Sequence, residues 1–357
     1  MNKPMEKQTV FSQPQLFAGW PSNAGIWNWD REILLSFHVG PYAPEKEGHK
    51  IDDTGAVSTV VMRSLDGGKS WTEEKENPLD TVSKQPCIPL PPEGIRFSHP
   101  DFALKVGSAA VNIRNRSFVV TYDRGHTWAG PYLLPGGDEE MTARTDYFVD
   151  GESRCTMMLS RRYPGQVRCR CHPDRLFCVR TEDGGHSWRF LSFVTDPSAR
   201  SALSNTVRMS DGRLITSVSR RKDVRRGVAT TRNHWIELCQ SADGGETWTT
   251  LSRIYTPYHW RSEQSNPSCM ARLPDGRLLI VYAFRGAQPC LLARLSRDGG
   301  RTFGAETVLD ADVSSEDFGY PVMVSLPFGD MVIAYFTATS ERPVPHINVI
   351  RWRPPDD

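Results

Sequence analysis

One phrase, repeated five times, constrains this chain more than any other feature. It reads SLDGGKSW at 64–71, TYDRGHTW at 121–128, TEDGGHSW at 181–188, SADGGETW at 241–248 and SRDGGRTF at 296–303. Its aspartates (Asp66, Asp123, Asp183, Asp243 and Asp298) stand roughly 55–60 residues apart. A fixed period of that size marks a repeat architecture, in which each unit buries a face against the next. The phrase is itself a turn: Asp accepts from backbone N–H groups ahead of it and Gly takes the positive φ. The closing Trp or Phe then buries a large apolar face.

Between the phrases the same order recurs: extended run, tight turn, second run, variable loop, third run. It is clearest in SNTVRM, Asp211–Gly212, RLITSVSRR and HWIELCQ, and in SNPSCMARL, Asp275–Gly276, RLLIVYAFR and CLLARLS. Asp-Gly between β-rich apolar runs is a strong hairpin signal. The first unit has GIWNW and EILLSFHV, the third TDYFV, CTMMLSRR and RLFCVRT. In the second, HPDFALKV is read as the opening strand, followed by a turn near Asn115 and SFVVTYD. A sixth unit, GYPVMVSL, DMVIAYFTA and HINVIRW, ends without a phrase. Helical periodicity is absent over any long window.

The phrase resembles the Asp-box, or BNR repeat, of the sialidase superfamily, and the resemblance runs from about residue 20 to the C-terminus. In that family the boxes lie on the outer hairpins of a six-bladed β-propeller, on the face away from the active site. The resemblance implies an all-β fold and a single propeller domain over 1–357. Its blades would fall at roughly 20–75, 97–135, 143–192, 203–252, 265–308 and 318–353. The sixth unit is one strand short, so TVFSQPQLF at 9–17 is expected to pair outside INVIRW and close the ring.

Composition narrows the partners. A net charge of +1 gives no reason to expect nucleic acid or a membrane surface. No run approaches the roughly 18 apolar residues that span a bilayer. The opening MNKPMEKQTVFSQ lacks a signal-peptide core, which suggests a cytoplasmic location, or export with the signal already removed. Cys169 and Cys171 stand beside His172, but no second ligand pair has zinc-site spacing, and no calcium loop is evident. No metal or cofactor is expected, and oligomeric state is open.

If the boxes occupy one end, the other carries the starts of the innermost strands, the ends of the second strands and their loops. Strand starts place Trp27, His99, Asp101, Arg144, Asp146, Tyr147, Asn266 and Tyr320 there. Second-strand ends and loops place His38, His49, Asp52, Asp53, Arg161, Arg220 and Arg285 there. Arginine presents a planar fork to a carboxylate, so a funnel lined with arginines argues for an anionic ligand. Arg220 and Arg285, each directly after an apolar run, lead that group, followed by Arg144 and Arg161.

DFGYPVMVSLPFGDMVIAYF resembles the sialidase segment that carries a tyrosine nucleophile, which makes Tyr320 the candidate. A neutral phenol suits a sugar whose anomeric carbon bears a carboxylate, because a carboxylate nucleophile would be repelled. It needs a base. The family's general acid lies in the loop after the second strand of blade 1, here represented by Asp53 or Asp52, with Asp101 and Asp146 as competitors. The chain departs from the family at three places. Ala24–Trp27 stands where an Arg-Ile-Pro motif is usual, Tyr335–Phe336 where a glutamate steadies that arginine, and Leu203–Ser204 where a glutamate polarises the tyrosine. Glu263, Glu316 or Asp317 could supply that base from an adjacent loop.

The resulting expectation is an exo-acting, sialidase-like hydrolase for sialic acid or a related ulosonic or uronic acid. A propeller hydrolase or lyase using His99, His38 or Tyr147 on an anionic polysaccharide is the first alternative. A non-catalytic carbohydrate-binding propeller is the second.

Overall fold

The structure, a computed structural model, describes residues 5–52, 54–107, 117–135, 141, 144–163, 174–226, 229–254, 265–286 and 288–356. The chain opens with β1 (Glu6–Phe11), β2 (Leu16–Gly19), a short α1 (Pro21–Ala24), β3 (Gly25–Trp29), β4 (Glu32–Pro41), β5 (Ser58–Ser64) and β6 (Thr72–Glu73). After α2 (Pro78–Ser83) come β7 (Ala103–Val106), β8 (Ser117–Thr121) and β9 (Ala129–Leu133). The third sheet uses β10 (Tyr147–Val149), β11 (Cys155–Arg162), β12 (Asp174–Thr181) and β13 (Arg189–Phe193). The fourth uses β14 (Arg200–Arg208), β15 (Leu214–Arg226), β16 (Ala229–Ser241) and β17 (Thr249–Ile254). The fifth uses β18 (Ser265–Arg272), β19 (Leu278–Phe284), β20 (Cys290–Ser296) and β21 (Thr307–Asp310). The last has β22 (Gly319–Ser325), β23 (Met331–Thr337) and β24 (His346–Trp352).

Among the described residues these strands form six antiparallel sheets, the blades of an all-β propeller. The ring closes as the sequence suggests: β1 pairs outside β24, with Lys7 opposite Ile350 and Gln8 opposite Val349. The pairing covers 6–11 rather than 9–17, because the chain then turns and β2 pairs with β4 of blade 1. One N-terminal segment therefore stitches the last blade to the first. The Lys7 ammonium adds a tie to Asp310 of blade 5 at 2.8 Å.

Packing explains why EILLSFHV is buried almost continuously instead of on alternate residues. Side chains point to opposite faces of a strand, and both faces of β4 are covered. Ile33, Leu35 and Phe37 pack with Val332, Ala334 and Phe336 of blade 6. Leu34 packs with Ala103, Val119 and Trp128 of blade 2. Each such side chain contributes about 1.5–3 kcal/mol on burial.

The repeated phrases are turns closed by their aspartates. Asp183 accepts from the Ser187 amide at 2.9 Å and its hydroxyl at 2.6 Å, and Asp243 does the same with Thr247. Bonds led by those hydroxyls hold both carboxyls at about 2. A carboxyl held below its unfolded value, about 4, stabilises the fold above that pH. The contribution is lost as pH falls through the folded value. The urea midpoint should therefore drop between about pH 4 and pH 2. Asp183→Asn should start less stable and lose less across that window, and an equal loss in both proteins would contradict this role.

Blade 2 corrects the sequence reading. In the other phrase-bearing blades the strand entering the phrase is the third; here β8 enters the phrase and β7 pairs with it, so β7 is a second strand. An innermost strand has no counterpart in this sheet among the described residues. HPDF therefore sits at the phrase end, not the opposite one. Asp101 accordingly pairs with Arg124 of the second phrase at 2.6 Å.

Candidate active site

The end opposite the phrases brings together the start of β22, the chain after β4 and β19, and the residues ahead of β10. Tyr320 is the second residue of β22, and its backbone is left-handed at φ 50°. The β22–β23 register slips between Gly319 and Val322. Blades 4 and 5 slip at the matching place, between Ala202 and Asn205 and between Ser265 and Ser268. Such bulges re-aim a side chain out of the regular pleat. A non-glycine residue in this conformation costs about 1–2 kcal/mol, and such outliers gather at functional sites. Gly319 makes the slip feasible, since at φ 101° a Cβ would stand 2.4 Å from the Ala283 Cβ. Gly319→Ala should cost about 2–4 kcal/mol and displace Tyr320. Urea unfolding tests this, and an unchanged midpoint would contradict it.

The Tyr320 hydroxyl lies 3.3 Å from His49 Nε2. His49 Nδ1 is 2.6 Å from Asp317 Oδ1, while Asp317 Oδ2 accepts from the Lys50 amide at 2.8 Å. The Trp20 ring meets His49 edge-on at 4.9 Å between centroids, and Phe336 lies 5.8 Å from the Tyr320 ring. The guanidinium carbons of Arg144 and Arg285 stand 5.4 and 5.5 Å from the Tyr320 ring centroid.

Arg144 is the unusual member. It is 3% exposed; Nη1 donates to the Ser268 carbonyl at 3.4 Å, while buried Nε and Nη2 have no hydrogen-bond partner among the described residues. Burial pushes its guanidinium down to about 10, with Arg285 acting in the same direction. Arg285 uses Nε and Nη2 on the Phe318 carbonyl, at 3.1 and 2.6 Å. The acid nearest Arg144 in sequence, Asp146, accepts from the Ser204 hydroxyl at 2.6 Å and from the Thr206 amide and hydroxyl at 3.0 Å each. Unsatisfied buried donors cost about 1–3 kcal/mol, more when charged. An anion entering here would offset that cost and relieve the repulsion between two cations.

Several residues expected at the site have other duties. Arg220 is a correction. It is fully buried and ion-paired on two sides, with Nε 2.8 Å from Glu237, Nη2 3.0 Å from Asp196, and Nη1 donating to the Thr195 hydroxyl at 2.6 Å. Asp146, rather than lining the pocket, ties blade 3 to blade 4. The Tyr147 hydroxyl accepts from the Leu104 amide at 3.1 Å, and burial pushes its phenol far up, unsuited to proton transfer. Trp27 is buried against Trp128 at 5.7 Å. Arg161 lies over the rings of Tyr163 and Phe177 at 4.6 and 5.5 Å.

His99 and Asp101 lie at the phrase end, where the His99 ring packs on Tyr122 of the second phrase at 5.5 Å. Asp52 caps its own turn, accepting from the Thr54 amide at 2.9 Å and hydroxyl at 2.6 Å. Those bonds, the hydroxyl's first, lower its carboxyl, which opposes a role as proton donor. Burial drives His38 down to about 3, so its ring is neutral. Asp53 and Glu263 lie outside the described residues, as does the side chain of Asn266.

The sequence placed His49 in the right loop without a role, and it named Asp317 as one of three acids that could serve the tyrosine. Tyr320 and His49 are separated by 271 positions, so no local pattern could pair them.

The model for the BNR repeat-like domain matches residues 104–333, more than half of the chain. The chain belongs to the BNR repeat-like family. A search of curated proteins found no match. Among solved structures, a protein of unknown function from Dyadobacter fermentans shares 18% identity at a TM-score of 0.71, over 98% of each chain. The NanB sialidase of Streptococcus pneumoniae shares 12% at 0.56, over 97% of this chain and 70% of that one. An α-L-arabinofuranosidase from Fusarium graminearum shares 11% at 0.57, over 97% and 98%. At these identities the likeness is one of fold, and function rests on the site.

Proposed function

We propose that this BNR-repeat propeller is a glycoside hydrolase that removes a terminal acidic sugar, a sialic acid or a related ulosonic or uronic acid. Tyr320 is the nucleophile, and Arg144 with Arg285 grips the sugar carboxylate. The observation that carries this reading is a tyrosine beside two guanidiniums, one of them buried with two nitrogens that have no partner among the described residues. Paired guanidiniums fit a carboxylate better than the hydroxyls of a neutral sugar. A phenol approaches an anomeric carbon next to a carboxylate without repulsion, the circumstance in which glycosidases depart from paired carboxylates.

The reaction runs in two steps. Tyr320 Oη attacks the anomeric carbon as the glycosidic C–O bond breaks, and a carboxylic acid protonates the leaving oxygen. Water then displaces Tyr320 from the glycosyl-enzyme and gives its proton to the same carboxylate. We assign the acid to Asp53, which follows an anchored residue: the Asp52 amide donates to the Pro41 carbonyl at 2.9 Å, at the end of β4.

A second reading has support from the same cations. They could neutralise a uronate carboxylate while Tyr320 and His49 move protons in a β-elimination. Aryl α-sialosides and aryl uronides assayed beside an aryl α-L-arabinofuranoside, with a polyuronide checked for ultraviolet-absorbing unsaturated ends, separate the two. Release of aglycone from an acidic glycoside, without turnover of the neutral one, is expected. Faster turnover of the neutral glycoside sinks the proposal, and unsaturated ends alone support the lyase.

A further inference from the structure

We infer that His49 is the base that takes the Tyr320 proton and that Asp317 is the positioning residue that holds His49 in the required tautomer, a pair standing where a single carboxylate would otherwise be needed.

Three distances carry the inference. Tyr320 Oη to His49 Nε2 is 3.3 Å, His49 Nδ1 to Asp317 Oδ1 is 2.6 Å, and Lys50 N to Asp317 Oδ2 is 2.8 Å. The tautomer follows from the partners. An ionised carboxylate only accepts, so the short contact to Asp317 places the hydrogen on Nδ1 and leaves the Nε2 lone pair facing the phenol. The Trp20 indole N–H also approaches Nδ1, at 3.4 Å. It cannot donate to a nitrogen that is itself donating to a carboxylate less than 3 Å away, so Trp20 acts as an edge packed against the ring. The Lys50 amide occupies the other Asp317 oxygen and fixes the carboxylate plane. A base within one hydrogen bond of the nucleophile, oriented by a third group, is the arrangement that activates a weak hydroxyl nucleophile.

The charged groups around the pair come from separate elements. Asp317 comes from the segment before β22, His49 from the loop after β4, Arg144 from ahead of β10 and Arg285 from beyond β19. No carboxylate other than Asp317 has a hydrogen bond or ion pair to His49 or Tyr320 among the described residues. The position where the sialidase resemblance calls for a polarising glutamate holds Leu203–Ser204, and the Ser204 hydroxyl is spent on Asp146.

The inference rests on the hydrolase reading, and its proton balance is complete. As the Tyr320 Oη–carbon bond forms, the phenolic proton moves to His49 Nε2 and the ring becomes a cation paired with Asp317. When water later displaces the sugar, the Oη–carbon bond breaks and Oη recovers that proton from His49. The carboxylic acid that protonated the leaving oxygen recovers its own from the water.

Two measurements test it. On an acidic aryl glycoside, His49→Ala should lower kcat about 10²–10³-fold with KM within about threefold, and added imidazole should restore a measurable part of the rate. Asp317→Asn should lower kcat by about 10-fold or more and gain nothing from imidazole. A His49→Ala enzyme that keeps kcat within about threefold, or a folded one that imidazole does not rescue, overturns the base role. The second measurement needs no substrate. In ¹⁵N spectra of the histidine rings, the signals lost in His49→Gln should be those of an Nδ1-protonated ring, and they should shift in Asp317→Asn. An Nε2-protonated ring overturns the pairing directly. If the wild type turns over no acidic glycoside, the hydrolase reading fails, and the spectra still decide whether the pair exists.

Discussion

Tyr320→Phe should lower kcat on an acidic aryl glycoside by about 10⁴-fold or more, the scale seen when a nucleophile is deleted, with KM nearly unchanged. The substitution is clean because it removes a single atom. The ring that faces Arg144 and Arg285 stays, as does its packing beside Phe336. Among the described residues the lost oxygen has one partner, His49 at 3.3 Å, a long contact whose loss should change stability by about 1 kcal/mol or less. Steady-state kinetics and a urea titration on the same preparation check both halves. A kcat within about tenfold of wild type would remove Tyr320 from the chemistry.

The second large effect has opposite signs for activity and stability. Arg144→Met should reduce kcat/KM on the acidic glycoside about 10²–10³-fold, because a fully desolvated charge contact to the carboxylate disappears. The same change should raise the unfolding free energy of the unliganded protein by about 1–3 kcal/mol. Arg144 sits buried with two nitrogens unpartnered among the described residues and a second cation nearby, so the unliganded fold should be better off without it. Arg144→Lys should not recover the activity, since an ammonium lacks the planar fork. Kinetics with paired urea titrations decide this. A variant that is both inactive and less stable would show Arg144 to be structural.

What is legible in this chain divides along the distance over which information must travel. The phrases are local, and the bonds from Asp183 to Ser187 lie within the turn, so the repeats announced the propeller. Ring closure was also legible, because the sixth unit was one strand short outside β24 and TVF was the apolar segment left over. Arg220 misled for a physical reason. It follows an apolar run as Arg285 does, but Glu237 on the adjacent strand neutralises it at 2.8 Å. A glutamate inside the otherwise apolar WIELC of β16 was the available hint that a buried cation lay opposite. Blade 2 misled because, among the described residues, its sheet pairs β7, β8 and β9 alone, so an assumed innermost strand moved His99 and Asp101 to the wrong end. Arg144, Arg285 and Tyr320 were each legible as residues of the mouth. That they converge on one ring, with His49 arriving from a loop 271 positions away, is a property of the closed ring alone.

The most direct test of the central claim is mass spectrometry of the enzyme quenched during turnover of an acidic glycoside with a good leaving group. A covalent nucleophile predicts a population heavier by one dehydrated sugar, with the added mass on the peptide that carries Tyr320 and absent in Tyr320→Phe. Turnover with no adduct in the wild type, or an adduct that persists in the Phe variant, would place the chemistry on another residue.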